Sequence, residues 1–235
     1  MSLQDLILHD QDLLLRLNGS DSVFWDGFMW IATSTVIWAP AMLVLLYIIF
    51  KNNKPSKAFL ILVMLGLVIF MADRIASGIC KPYFARPRPT HDPIIMFLVD
   101  IVNGYRGGAY GFLSSHAANT FSVSMFLSLL VKKRSFAFFM FSWALIHTFT
   151  RIYLGVHYPG DIMFGALEGM AVGTLVYFLY NYLQKRLFSE THYSASQYVS
   201  DEYPMSDLKI LYVTFILILL AIFLLGIGVA YFKYL

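Results

Sequence analysis

Three short fragments gather cations, imidazoles and hydroxyls in a pattern suited to a tetrahedral anion. They are Lys81-Pro-Tyr-Phe-Ala-Arg-Pro-Arg88-Pro89, then Phe112-Leu-Ser114-Ser115-His116-Ala, then Thr150-Arg151-Ile-Tyr-Leu-Gly-Val-His157-Tyr-Pro-Gly-Asp161. Lys81, Arg88 and Arg151 suit phosphate oxygens, Arg by bidentate contacts and Lys as a point charge. Free histidine titrates near neutral pH, so His116 and His157 could serve as nucleophile, acid or base. Asp161 lies four residues after His157, where a carboxylate can hold one ring nitrogen. The hydroxyl of Ser114 and the backbone N–H groups near Ser115 and His116, at the opening of a helix, also favour an anion.

Composition says what must position these residues. The 235 residues are 59% hydrophobic and 13% charged, with mean hydropathy +0.67. Soluble domains carry roughly 25% charged residues, so this chain belongs in a bilayer. A net charge of +3 is too small to argue for nucleic acid. A single cysteine, Cys80, excludes an internal disulfide and a cysteine metal cluster. The N-terminus lacks a basic region and a cleavage site, so no cleaved signal peptide is expected.

The expected fold is all-α: an integral membrane helical bundle of about six transmembrane helices with an N-terminal amphipathic helix. Apolar runs fall at about 23–50, 58–80, 117–131, 135–153, 161–184 and 208–232, each near the roughly 20 residues that a bilayer requires. Residues 1–20 form the amphipathic helix, either on the membrane surface or packed on the bundle. Residues 21–184 form the core, 185–207 a cytoplasmic linker and 208–235 an accessory C-terminal span. Lysine and arginine crowd one face (Lys51, Lys54, Lys57, Lys132, Lys133, Arg134, Lys185, Arg186, Lys209). That face is expected to be cytoplasmic, which points the three fragments, and the N-terminus, outward.

With its order and spacing, the motif set resembles the type 2 phosphatidic acid phosphatase family. That family shows Lys-x6-Arg-Pro, Pro-Ser-Gly-His and Ser-Arg-x5-His-x3-Asp. Here they are Lys81-x6-Arg88-Pro89, Leu113-Ser114-Ser115-His116 and Thr150-Arg151-x5-His157-x3-Asp161. The resemblance implies that His157 attacks phosphorus and forms a phosphohistidine. It implies that Asp161 orients His157, and that His116 protonates the leaving oxygen and then activates water. Lys81, Arg88, Arg151, Ser114 and Ser115 would hold the phosphate, with no metal or other cofactor. Leu113 stands where the family has proline, Ser115 where it has glycine and Thr150 where it has serine.

Further polar residues lie inside or beside the spans, where they call for a reason. His147 is one turn before Arg151 and could support its guanidinium. Glu168 could pair with Arg74, next to Asp73, beneath the site as a scaffold. The segment 90–111 is expected to form a lid or a passive loop, with Arg106 a candidate for a headgroup. The implied activity is removal of a terminal phosphate from a membrane lipid phosphate or diphosphate. The candidates are polyprenyl diphosphate, favoured slightly, lipid A, phosphatidylglycerol phosphate and phosphatidic acid. The expected place is a bacterial inner membrane, with the site facing the periplasm. Other readings are a lipid-phosphate transporter, which would need only the cations, a haloperoxidase, which the apolar spans disfavour, and hydrolysis of a soluble phosphate ester. A metal on His116, His157 and Asp161 would be repelled by the three cations.

Overall fold

The structure is a computed structural model that describes residues 2–188 and 203–233, and these are helical almost throughout. The helices are α1 (Leu3–Leu17), α2 (Val23–Ala32), α3 (Ala39–Asn52), α4 (Pro55–Asp73) and α5 (Lys81–Phe84), followed by α6 (Ser115–Val131), α7 (Arg134–Tyr153), α8 (Pro159–Leu187) and α9 (Met205–Lys233). A π-helical turn, Arg74–Cys80, joins α4 to α5 in one long span. The only strand-like pairing among the described residues is the antiparallel bridge of Pro87 with Tyr110.

Sequence chemistry sets the ends of these helices. Ser2 and Asp5 form a capping box on α1, and proline occupies the first turn of α4 and α8, where its missing N–H costs nothing. Ala85 and Lys132 adopt left-handed backbone and stop α5 and α6.

The bundle centres on the pairing of α6 with α8. Gly165, Gly169 and Gly173 recur every fourth residue on α8 and lie against Ser114, Ala118 and Ser122 of α6. A Cβ at Gly169 would meet the Ala118 carbonyl oxygen at 2.3 Å. Small residues on both sides allow this approach, which replaces the hydrophobic drive that lipid cannot supply. Helices α4 and α7 flank the pair, and Ala72, Ala118, Phe126 and Val176 belong to one buried cluster with them. α9 packs on α2 and α3, with Ile218 and Ile222 against Trp38. Asp207 at its start accepts from Lys51 (2.7 Å) and Asn52 (2.9 Å).

Several expectations change here. The run at 23–50 is not one straight span, because α2 and α3 meet at 66° across a break at 33–35. Among the described residues three helices are each long and apolar enough to cross a bilayer, or four with the bent pair, while α6 and α7, the other two expected spans, fall short of that length or apolarity. α6 has 17 residues, about 26 Å, and both α6 and α7 are rich in Ser, Thr and His. α6 is packed between α4, α7 and α8, which relaxes the demand for apolarity on its faces. The linker expected at 185–207 is narrower, since α8 runs to Leu187 and α9 starts at Met205. Its residues 189–202 lie outside the described residues.

Of the two placements open for the N-terminal helix, α1 packs on the bundle. Leu14 is fully buried with Ile95, Val99, Ile152 and Tyr158, while Leu3, Leu6 and Leu8 face outward.

The α6–α8 seam gives a direct test. Gly169→Ala forces a methyl group into backbone, an overpacking that costs about 1–3 kcal/mol. It is expected to lower the unfolding midpoint of detergent-purified protein. Gly66→Ala, inside α4 with nothing within 4 Å among the described residues, is expected to leave it unchanged or raise it slightly.

Candidate active site

The three fragments meet at one end of the bundle. Ser114 is the N-cap of α6, and its side chain accepts from the Ala117 N–H. Its own N–H donates to the Asp161 carbonyl (3.1 Å), which ties the second fragment to the third. His116 follows in the first turn, within electrostatic reach of Arg151, His157 and Lys81.

His157 sits in the turn between α7 and α8, 1% exposed. Its Nδ1 faces Asp161 Oδ2 at 3.4 Å, and its Nε2 faces Arg88 Nη1 at 3.3 Å. A proton on Nδ1 therefore leaves the Nε2 lone pair directed into the cationic cluster. Burial, followed by the charges of Arg88, Arg151 and Lys81, holds this imidazole well below the usual histidine range. Asp161 is fully buried at the third position of α8, and its Oδ2 also accepts from the Tyr158 N–H (3.1 Å).

Each cation is positioned separately. Arg88 donates through Nε to the Tyr110 carbonyl (3.1 Å) and through Nη1 to the Val156 carbonyl (3.2 Å). Arg151, 3% exposed, donates through Nη1 to Thr33 Oγ1 (2.8 Å) and through Nη2 to Tyr105 Oη (3.3 Å), while its Nε has no hydrogen-bond partner among the described residues. Lys81 donates to Ser77 (3.2 Å) and to Ser115. Ser77 in turn bonds Ser115 (2.7 Å) and donates to Asp73 (3.0 Å). The π turn brings Asp73, Ser77 and Lys81 onto one face, the local use of a widened turn seen at functional sites.

Three expected contacts take a different form, and a fourth candidate, Arg106, is tied to the backbone of its own loop. The Ser115 hydroxyl is engaged with Lys81 and Ser77, so the residue that replaces the family glycine positions the lysine. His147 does not hold Arg151; it stacks on His116 with ring centroids 5.8 Å apart, and Thr33 holds the guanidinium instead. Glu168 does not pair with Arg74: both Glu168 carboxylate oxygens are buried with no hydrogen-bond partner among the described residues, and Arg74 lies over the Phe70 ring. Arg106 is exposed and donates to the Thr90 carbonyl (3.1 Å), with Thr90 Oγ1 donating back to the Arg106 carbonyl (2.7 Å).

Sequence reading missed Thr33, Tyr105, Ser77 and Arg86. Arg86 Nη1 donates to Asp161 Oδ1 at 2.9 Å. Its signal was present: Pro87 and Pro89 force extended backbone on the residues before them, and residues two apart on extended backbone share a face. Arg86 and Arg88 therefore flank the His157–Asp161 pair.

The chain belongs to the PAP2 superfamily, whose family profile matches residues 57–185. A lipid A 4'-phosphatase of Bacteroides thetaiotaomicron is 44% identical over 77% of this chain and 81% of its own length. A lipid A 4'-phosphatase of Porphyromonas gingivalis is 33% identical over 75% of each. Two crystal structures share the fold. LpxE of Aquifex aeolicus has a TM-score of 0.51 and 24% identity over 70% of this chain and 92% of its own. A PAP2 type phosphatidylglycerolphosphate phosphatase of Bacillus subtilis has a TM-score of 0.54 and 19% identity over 78% and 88%. The chain is thus an integral membrane phosphatase of this superfamily.

Thr33→Val removes a charge-assisted bond from Arg151. It is expected to lower kcat/KM for a phosphate ester about tenfold, or about 1.4 kcal/mol, chiefly through KM.

The depressed His157 gives a second expectation. Free imidazole is only about a quarter neutral at pH 6, whereas His157 should stay neutral there by ring ¹⁵N shifts assigned with His157→Asn. Below pH ~6.5 the unfolded chain takes up a proton that the folded site refuses, so stability should fall as pH falls through that range.

Proposed function

We propose that this protein removes a phosphate from a membrane lipid by way of a phosphohistidine on His157. The observation that carries this reading is the His157 ring, held by Asp161 on one side and open to Arg88 on the other. Pure anion binding needs the cations; it does not need an oriented, neutral imidazole among them.

The chemistry balances with groups on this chain. The lone pair of His157 Nε2 forms the N–P bond as the P–O ester bond breaks. His116 gives a proton to the departing alkoxide oxygen. Water then attacks phosphorus, His116 takes its proton and the N–P bond breaks, releasing inorganic phosphate. Lys81, Arg88 and Arg151 neutralise the charge that develops on the non-bridging oxygens, and the Arg151 Nε, which bonds to none of the described residues, is free to donate.

The named relatives favour a lipid A phosphate as the substrate over a polyprenyl diphosphate. An apolar hollow of about 390 Å³ beside Trp30, Ile37 and Pro40 offers room for acyl chain. Trp30 meets the Tyr105 ring edge to face, and Arg151 lies over that ring, so the Trp30 side of the hollow leads toward the phosphate cluster. The lysine-rich loops lie at the far end of the bundle, which favours a periplasmic or external site in a bacterial inner membrane.

The test is phosphate release by purified protein over a panel of lipid A, phosphatidylglycerol phosphate, phosphatidic acid and undecaprenyl diphosphate, with EDTA present. Lipid A is expected to rank first, and His157→Ala is expected to abolish release. Undiminished release by that variant would remove the phosphohistidine route.

A further inference from the structure

Asp161 makes a shorter contact with Arg86 (2.9 Å) than with His157 (3.4 Å). Arg86 does not stop at Asp161. Its Nη2 donates to Asp10 Oδ2 at 2.8 Å, and its guanidinium lies 3.9 Å from the centre of the Tyr158 ring. Asp10 belongs to α1, far outside the segment that matches the family.

Asp10 is itself held. Its Oδ1 accepts from the Gly160 N–H at 2.8 Å, one residue before Asp161. A Cβ at position 160 would stand 2.7 Å from Asp10 Oδ2, so the glycine is what lets the carboxylate reach the backbone. The next residue, Gln11, donates to Asp92 Oδ2 (3.0 Å), which also accepts from Tyr158 Oη (2.6 Å). α1 therefore grips the turn that carries His157 on two sides of Tyr158.

We propose that Asp10 and Arg86 are positioning residues for the catalytic pair, and that α1 completes the active site. The proposal rests on the phosphatase reading above. One line of charges runs from Asp10 through Arg86 and Asp161 to His157. Arg86 holds Asp161 Oδ1 and thereby sets the rotation of the carboxylate, which presents Oδ2 to His157. Asp10 neutralises Arg86 on its outer side and anchors it to the start of α8. Arg86 acts behind the nucleophile and takes no part in holding phosphate oxygens, which is the task of Lys81, Arg88 and Arg151. The pair should therefore govern turnover and leave anion affinity alone.

The experiment compares full-length wild type, Asp10→Asn, Arg86→Gln, Arg86→Lys, Asp12→Asn and His157→Ala in detergent. It measures kcat on the best lipid of the panel and Ki for inorganic phosphate. A misplaced reacting group costs about 100-fold, the loss expected in kcat for Arg86→Gln, with a loss of about tenfold for Asp10→Asn. Phosphate Ki should stay within about twofold of wild type, since the three phosphate-facing cations are untouched. Arg86→Lys keeps the charge and should recover part of the loss. Asp12→Asn, in an exposed pair with Arg16, should match wild type.

An active wild type with an inactive His157→Ala, alongside wild-type turnover in Asp10→Asn and Arg86→Gln, overturns the positioning role alone. A kcat loss accompanied by an equal loss of phosphate affinity, with no recovery in Arg86→Lys, also overturns it. A wild type silent on every lipid overturns the phosphatase reading and this role with it.

Discussion

A carboxylate with no exposed surface must be satisfied by the chain around it, and Asp161 is such a group. It draws in the His157 ring, the Tyr158 N–H and the Arg86 guanidinium. Those donors come from the turn before α8 and from the extended segment after α5. Removing one partner from a buried ion pair costs about 3–5 kcal/mol, so these segments are bound to one another as well as to the site. The second fragment joins through the Ser114 N–H on the Asp161 backbone carbonyl. The three motifs converge because each answers a polar demand made at one position of α8.

That convergence needs α6 and α8 to stand close enough for the Ser114–Asp161 bond to form. Gly165, Gly169 and Gly173 provide the spacing, with Gly165 packed against the Ser114 carbonyl itself. The packing of the bundle and the geometry of the site are thus set by the same stretch of chain. The cations are dispersed around it. Lys81 is held by serines, Arg88 by carbonyls and Arg151 by a threonine and a tyrosine. Neutral partners leave the positive charge uncompensated, ready for an anion.

Much of this was legible in the sequence. The apolar runs disclosed the bundle, and the spacing of His157 and Asp161 disclosed their pairing, because both follow from local periodicity. The break between α2 and α3 was not legible, since Thr33-Ser-Thr35 interrupts the apolar run without a charge, a glycine or a proline to mark a break. Glu168 and Arg74 were matched by helical register alone, and the structure leaves them unpaired. Thr33 and Tyr105 carry no pattern that ties them to Arg151; their contacts span 118 and 46 residues of sequence. Ser115 looked like a flaw in a motif. Its role emerges only once the π turn places Ser77 and Lys81 beside it.

The glycine seam also bears on inheritance. Where a methyl group would strike backbone, descendants of this gene have almost no room for variation, and the chemistry next to the seam is carried along unchanged. Around Gly108, in the loop that carries Tyr105 and Arg106, an added Cβ meets nothing within 4 Å among the described residues. Mutations can accumulate there without disturbing the catalytic pair. A lineage built this way would keep one reaction and diversify the molecules presented to it, with novelty confined to the rim.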